Sequence, residues 1–316
     1  MWVENQGEIE MKRTKKLENP TAILTADWHI RESIPVCRTD DFWKAQWEKI
    51  EFISDLQQKY DCPILHAGDF YETTNPIMSW KPSPYLLTMS MRHFPGQIWA
   101  VYGNHDLPQK SLDLHEKSGV DVLKEAGTIK ILEECHWEQE PIPLDYAAKI
   151  SLFRIPQKTI LVWHVMTYPS GKSPWPGCED LSAGQILDKY PEYDLIVTGH
   201  NHKTFIEEKD SRLLVNPGSL MRQDADQIDH KPCVFLWHAE SNRVERVEIP
   251  HEKNVISREH LDKPKERKER LRAYIENMST DWEAALSFAK NLEKHFNENK
   301  SIPKMLKDLI YLSMEN

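Results

Sequence analysis

No uninterrupted apolar run in these 316 residues approaches the length needed to cross a bilayer, so no membrane span is expected. The segment Met1 to Lys16 mixes charges and lacks an apolar stretch, which argues against a secretory leader. Cysteine is sparse: Cys37, Cys62, Cys135, Cys178 and Cys233 are odd in number, widely scattered and form no C-x-x-C pair. That pattern excludes a disulfide framework and a zinc knuckle, and it favours a reduced, cytoplasmic setting. Internal repeats are missing too. Nor is there an excess of positive charge: the formal net charge is −10, which lends no support to a polyanionic ligand. The acidity is uneven. Residues 251–316 carry 13 Lys/Arg against 12 Asp/Glu, leaving 27 basic and 38 acidic groups in the first 250 residues. What the chain does contain is 40% apolar residues, 28% charged residues and eleven tryptophans, a core-forming globular composition.

The first 250 residues alternate short apolar runs with helical patterns. Strands are expected over Thr21–Asp27, Cys62–Gly68, Gln97–Gly103, Lys149–Arg154, Thr159–His164, Asp194–Gly199, Arg212–Asn216 and Cys233–His238. Most are continuous β-branched or aromatic runs, as in strands buried on both faces. Asp40–Tyr60 reads as a helix, capped at Thr39 or Asp40, with Phe42, Trp43, Trp47, Ile50, Ile53 and Leu56 at three- and four-residue steps. Further helices are expected over Pro84–His93, Ser111–Ala126 and Leu181–Tyr190, and a surface loop over the proline- and glycine-bearing Tyr168–Glu179. Beyond Pro250 the texture changes. Lys263–Arg272 alternates charges, Trp282–Phe296 has one apolar helical face, and Ile302–Leu312 suggests one more helix. This divides the chain into an extension (1–20), a main domain (21–250) and a helical C-terminal appendage (251–316).

The chemistry lies where the apolar runs end. Ala-Ile-Leu-Thr-Ala leads into Asp27-Trp28-His29, and Pro-Ile-Leu-His-Ala-Gly into Asp69. Ile-Trp-Ala-Val-Tyr-Gly leads into Asn104-His105-Asp106, Ile-Leu-Val-Trp into His164, and Leu-Ile-Val-Thr-Gly into His200-Asn201-His202. Loops beyond the carboxyl ends of buried strands converge on one crevice. In D-x-H and H-x-H, alternate residues share a face. One such motif alone is weak, and a single histidine after a strand is more often structural; five in series call for a common cause. Mixed carboxylate, imidazole and amide donors suit Mn²⁺, Fe²⁺ or Zn²⁺ better than Mg²⁺ or Ca²⁺. Two such ions would reverse the local sign of charge, so global acidity does not exclude an anionic ligand.

The order Asp-x-His, Gly-Asp, Gly-Asn-His-Asp, His, Gly-His-x-His resembles the calcineurin-like metallophosphoesterase superfamily over about residues 21 to 240. The resemblance implies an α/β fold, a two-sheet β-sandwich flanked by helices, with two divalent metal ions at one edge and Mn²⁺ as the first choice. It implies that Asp27, His29 and His202 hold one ion, that Asn104, His164 and His200 hold the other, and that Asp69 bridges them. His105 would be the general acid to a leaving oxygen. Asp106 is assigned with it, either orienting His105 or closing its loop, with a helix cap as the alternative. Asn216-Pro217-Gly218-Ser219 reads as a turn supporting the centre. Arg222, Arg31 and Arg38 are candidate phosphate contacts, though a surface or structural role suits each one better when taken singly. His66 is expected in the core or behind the ligands, and the remaining histidines and Cys37 and Cys62 as packing residues.

Within the superfamily, Thr-Ala-Asp-Trp-His-Ile-Arg, Gly-Asp-Phe-Tyr-Glu and Tyr-Gly-Asn-His-Asp look most like DNA-repair exonucleases of the SbcD type and like phosphoesterases of phages and prophages. Protein phosphatases carry Gly-Asn-His-Glu and Gly-Asp-x-x-Asp-Arg, where this chain has Asp106 and Phe70-Tyr71-Glu72. The expected activity is metal-dependent phosphodiester hydrolysis of DNA. The alternatives are hydrolysis of small or cyclic nucleotides and, from another class, an inactive metal-binding regulatory module. Residues 251–316 are the candidate contact for an ATPase coiled-coil partner. Their Lys265, Arg267, Lys268, Arg270 and Arg272 fit either a phosphate backbone or a solvated helix whose charges pair internally.

Overall fold

Alternate residues of each central strand serve different layers. The first sheet contains β1 (Ala22–Thr25), β2 (Ile64–His66), β3 (Ile98–Ala100) and β4 (Ile129–Ile131). The second contains β5 (Ala147–Ile150), β6 (Ile160–Trp163), β7 (Leu195–Thr198), β8 (Phe205–Lys209) and β9 (Arg212–Asn216). β10 (Cys233–His238) and β11 (Arg243–Glu248) complete the first. The strand orders are β11-β10-β1-β2-β3-β4 and β5-β6-β7-β9-β8. β1 to β4 run parallel, as do β6, β7 and β9, and the remaining pairings are antiparallel. These features were read from a computed structural model that describes residues 18–72, 82–132, 147–150, 158–259, 288–299 and 302–307.

Ala22 and Leu24 pack with Leu65, Ile160, Val162, Leu195 and Val197 between the two sheets. Ile23, between them in sequence, faces the other way with Ile64 and Ile98, against Trp47, Ile50 and Ile53 of helix α1 (Phe42–Tyr60). That layer also holds α2 (Pro84–His93) and α3 (Gly119–Glu125). On the far side, Leu161, Trp163 and Ile196 pack against α4 (Ala183–Lys189) through Ala183, Ile186 and Leu187. The result is the expected α/β architecture of two sheets flanked by helices. Each fully buried Leu or Ile contributes about 1.5–3 kcal/mol, so a one-residue slip of β1 would be expensive as well as chemically disruptive.

The differences from expectation have physical causes. Helix α1 is capped by Asp41, whose Oδ1 accepts from the Lys44 amide at 3.0 Å, not by Thr39 or Asp40. Asp40 is occupied by Arg38, whose Nε donates to Oδ1 at 2.7 Å. The helix expected over Ser111–Ala126 is broken. A 3₁₀ segment covers Leu112–Lys117, and Ser118 is extended and caps α3 by accepting from the Asp121 amide at 3.0 Å. β4, β8 and β11 had no counterpart in the sequence reading. All three are edge strands, and β8 and β11 are largely polar and exposed, without an apolar run to betray them.

The chain divides into two units, residues 1–257 and 258–316. Residues 251–257 return to the first, where Ser257 N donates to Cys37 O at 2.7 Å and Thr39 N to Val255 O at 3.1 Å. In the second unit helix α5 covers Phe288–Glu298, and Lys307 Nζ, from beyond it, donates to Phe296 O at 2.8 Å. Residues 1–17, the charge-alternating Lys263–Arg272, residues 282–287 and 308–312 of the two helical stretches expected beyond it, and the 151–154 part of Lys149–Arg154 lie outside the described residues. No helix among the described residues is long and apolar enough to cross a membrane.

Candidate metal centre

The parallel strands β1, β2, β3, β6 and β7 all end at one place, and each is followed by a residue of the candidate centre. Glycine permits the approach. A Cβ on Gly103 would stand 2.1 Å from Asp69 Oδ1, and one on Gly68, at φ +84°, would meet the Gly103 backbone and His164 Nδ1 at 2.8 Å. The ligand-bearing turns are themselves unusual. Asp27, His29, Asp69 and His200 have φ of 50°, 46°, 60° and 74°, a left-handed region that costs non-glycine residues about 1–3 kcal/mol each. Four such residues around one crevice mark a site whose geometry the surrounding structure enforces.

Two nests of donor atoms result. In the first, His29 Nε2 lies 3.0 Å from His202 Nε2 and 3.8 Å from Asp27 Oδ1. In the second, Asn104 Oδ1 lies 2.9 Å from His164 Nε2 and 2.7 Å from His200 Nδ1, with the two ring nitrogens 3.3 Å apart. Asp69 stands between them. Its Oδ1 accepts from the His105 amide at 2.7 Å, while Oδ2 faces His164 Nε2 at 3.2 Å and His29 Nε2 at 3.7 Å. That buried Oδ2 has no aligned hydrogen bond. The structure thus brings all seven expected ligands together.

The donor set fits divalent cations. Ring nitrogens and carboxylate oxygens point lone pairs at one another, which is repulsive unless a proton or cation lies between them. His164 Nδ1 donates to Ala67 O at 2.7 Å, so a cation that displaces the other ring proton would meet Nε2 as the donor atom facing the centre. Burial, with repulsion from His164 and His29 respectively, holds His200 down to about 4 and His202 to about 3, leaving both as neutral donors. Burial also opposes charge on His29 and His164. The carboxylates prevail, however, Glu72 and Asp69 lifting His29 and Asp69 lifting His164, both to about 9. A centre that draws protons so strongly has more negative charge than it can neutralise alone.

Glu72 was missed in the sequence, where it stood out only as a departure from the protein-phosphatase pattern. Its Oε2 holds His29 Nδ1 at 2.9 Å, and its Oε1 lies 3.4 Å from His105 Nδ1. The spacing Gly-Asp-x-x-Glu was the available signal. His105 is about one-third exposed, its ring 5.1 Å from that of His29, on the open side of the nests. Asp106 closes the loop. Its buried carboxylate accepts from the amides of Asp69, Phe70, Tyr71 and Gly103 at 2.9–3.2 Å, and none of these bonds reaches the His105 ring. Burial, with Asp69 nearby, pushes its carboxyl up to about 7.

The Asn216–Ser219 turn supports the His-x-His segment directly. Asn216 Nδ2 donates to Asn201 O at 2.6 Å and Lys203 O at 2.7 Å, and Ser219 N donates to His202 O at 3.2 Å. The three arginines separate. Arg38 and Arg222 are buried, bound to Asp40 and to main-chain carbonyls including Glu252 O and Lys253 O. Arg31 is half-buried, held by Ser33 Oγ at 2.9 Å and by Gln223 Oε1 at 3.2 Å. Gln223, also missed, donates through Nε2 to His29 O at 2.8 Å. His66 is fully buried and stacked on Phe70 with 3.8 Å between ring centroids, a core residue behind the turn.

The model of the calcineurin-like phosphoesterase superfamily domain matches residues 21–241, and the chain belongs to that superfamily. Comparison with curated proteins returned no match. Among solved structures, the chain is similar to an archaeal phosphodiesterase, with 15% identity over 72% of this chain and 99% of the other and a TM-score of 0.41. It is also similar to vacuolar protein sorting 29 of Cryptosporidium parvum, with 16% identity over 74% and 100% and a TM-score of 0.35. A predicted phosphoesterase of Streptococcus pneumoniae shows 15% identity over 73% and 83%, with a TM-score of 0.31.

Proposed function

We propose that the protein is a metal-dependent phosphodiesterase. Two divalent ions, Mn²⁺ first and Fe²⁺ or Zn²⁺ as alternatives, would be held by Asp27, His29, Asp69, Asn104, His164, His200 and His202. The observation that carries this reading is the buried Asp69 Oδ2, which has no aligned hydrogen bond and stands between two facing sets of donor atoms. When bound, such a pair supplies Lewis acidity that activates water and neutralises phosphoryl charge. The chain's own residues do the rest. His105 stands on the open side and gives its proton to the leaving oxygen, and Glu72 holds it by Nδ1. Asp106 fixes the Asp69 and Gly103 turns on which that geometry depends.

For the substrate we favour a nucleotidic diester, with DNA as the polymer. The support is the likeness of the three motifs to SbcD-type exonucleases, and residues 251–316 are the proposed contact for an ATPase partner. A second reading, small nucleotides, is favoured by the cleft beside His200 and His202, whose volume is about 530 Å³ and whose basic side chains are matched by acidic ones. Cleavage of end-labelled single- and double-stranded DNA with Mn²⁺, beside bis(p-nitrophenyl) phosphate and a His105→Ala control, tests both. DNA cut by the wild type and not by His105→Ala supports the nuclease. Intact DNA with hydrolysis of the generic diester supports the second reading, and a metal-loaded protein inert on both sinks the proposal.

A further inference from the structure

The cleft beside the centre has a built wall. It is lined by His200, His202, Lys203, Lys231 and Arg246. The segment with Gln227 and His230, which also line it, is tied through Ser219 to the turn that carries His202. His230 Nε2 donates to Ser219 O at 2.7 Å, and Gln227 Nε2 to Ser219 Oγ at 2.8 Å, while Ser219 N donates to His202 O. Gln227 Oε1 in turn accepts from the Gln223 and Asp224 amides at 2.6 and 3.1 Å. These bonds fix the segment with Gln227 and His230 relative to His202.

Its charges are specific. Lys203 and Lys231 are exposed and have no ion-pair partner among the described residues. Arg246 is aimed by one bond, Nη2 to Lys231 O at 2.9 Å, which leaves the rest of its fork free. Against these three cations stand Asp224, Asp226 and Asp229, and the Asp224 main chain is fixed by accepting from Gln227 N at 3.1 Å and donating to Gln227 Oε1 at 3.1 Å. Three cations beside three carboxylates suit a group with one anionic end and several hydroxyl or amino donors. They do not suit a row of phosphates, which the carboxylates would repel. The volume, about 530 Å³, falls in the range for a single small ligand of about 300–1,000 Å³.

We propose that this cleft is the leaving-group subsite, and that it takes one nucleotide carrying its own terminal phosphate, met by Lys203, Lys231 and Arg246. The inference rests on the phosphodiesterase reading and narrows it. Water oxygen adds to phosphorus, and the bond from phosphorus to the leaving nucleotide's oxygen breaks. That oxygen keeps the electron pair and takes the proton of His105, and the proton lost by water restores His105. The products are a phosphomonoester and a free nucleotide.

The test uses the full chain loaded with Mn²⁺, as wild type and as the double variant Lys231→Gln with Arg246→Gln. A 5′-phosphorylated dinucleotide is compared with bis(p-nitrophenyl) phosphate, which has no second phosphate. The expected result is a fall of about 10-fold in the ratio of kcat/KM values, dinucleotide over simple diester, expressed through KM. An unchanged ratio overturns the proposal. Calorimetry supplies a readout without turnover. AMP should bind the wild type more tightly than inorganic phosphate, and the double variant should lose about 10-fold of that preference. Equal affinities for AMP and phosphate in the wild type overturn the subsite. Hydrolysis of neither diester by the wild type counts against the phosphodiesterase reading instead, and the calorimetric comparison then decides the subsite by itself.

Discussion

Glu72 holds His105 by its inner ring nitrogen, Oε1 standing 3.4 Å from Nδ1, while its other oxygen holds His29 Nδ1 at 2.9 Å. One carboxylate thus orients the candidate acid and a candidate ligand together. Loss of such an outer partner typically costs about 10–100-fold in activity or metal affinity. Glu72→Gln is expected to lower kcat and Mn²⁺ affinity within that range, and Glu72→Ala to lower both further. Steady-state kinetics with calorimetry check this; a kcat equal to that of the wild type would exclude the positioning role.

Gly103 is required by space. A Cβ would overlap Asp69 Oδ1 and N at 2.1 and 2.2 Å, so Gly103→Ala must displace the residue placed between the two nests. Weakening of Mn²⁺ binding by at least about 10-fold is expected, with the far-ultraviolet circular dichroism of the wild type retained. Wild-type affinity in a folded Gly103→Ala protein would show that Asp69 is not shared between ions.

Asp106 accepts from four backbone amides in the interior. In Asp106→Asn, one acceptor oxygen becomes a donor facing donors. Because hydrogen bonds to a charged acceptor are worth about 1.5–3 kcal/mol each, the metal-free protein should lose about 2–4 kcal/mol when measured above the carboxyl's value of about 7, where Asp106 is ionised. Urea denaturation measures it. Unchanged stability with lost turnover would assign Asp106 to the chemistry instead.

Lys49 lies on the buried face of α1, 4% exposed, donating to Ala45 O at 3.2 Å. Burial, then repulsion from Arg38 and Arg222, pushes its ammonium down to about 8 from 10.5. The folded value lies below the unfolded one, so the penalty is fully present below about pH 8 and fades as pH rises towards 10.5. Lys49→Met is therefore expected to stabilise the protein by about 1–3 kcal/mol at pH 7, and by progressively less towards pH 10. Unfolding in urea at both pH values checks the sign; a gain that grows with pH would refute the assignment.

Ion binding should also appear as stability, because only the folded chain presents the seven donors together. At a free Mn²⁺ concentration of about 100 times Kd, linkage adds about 2.7 kcal/mol. A chelator should lower Tm by the corresponding amount and added Mn²⁺ should restore it. Indifference of Tm to Mn²⁺ would count against the centre.

Much of the site was legible because its residues follow strands that are buried on both faces. Apolar runs such as Ile160–Trp163 and Leu195–Thr198 can be read without knowing their neighbours, and a polar residue directly beyond them stands out. The edge strands β8 and β11 gave no such contrast, since one face of each meets water. Glu72 was hidden for another reason. A carboxylate three residues after Asp69 is ordinary in sequence and becomes functional only when the turn folds it towards His29 and His105.

By itself, the sequence determined the alternation of buried strands with helices and the donor residues that follow those strands, because burial and donor chemistry are properties of residue types in local patterns; the two-sheet layering and the sharing of ligands between two ions came through the resemblance to the superfamily. Tertiary structure decided everything that depends on distance between segments far apart in the chain. It consigned Arg38 and Arg222 to the interior, joined Glu72 to two histidines, and tied the cleft wall to Ser219. A hydrogen bond or ion pair is specified by a few tenths of an ångström between two groups, and no local pattern carries that separation.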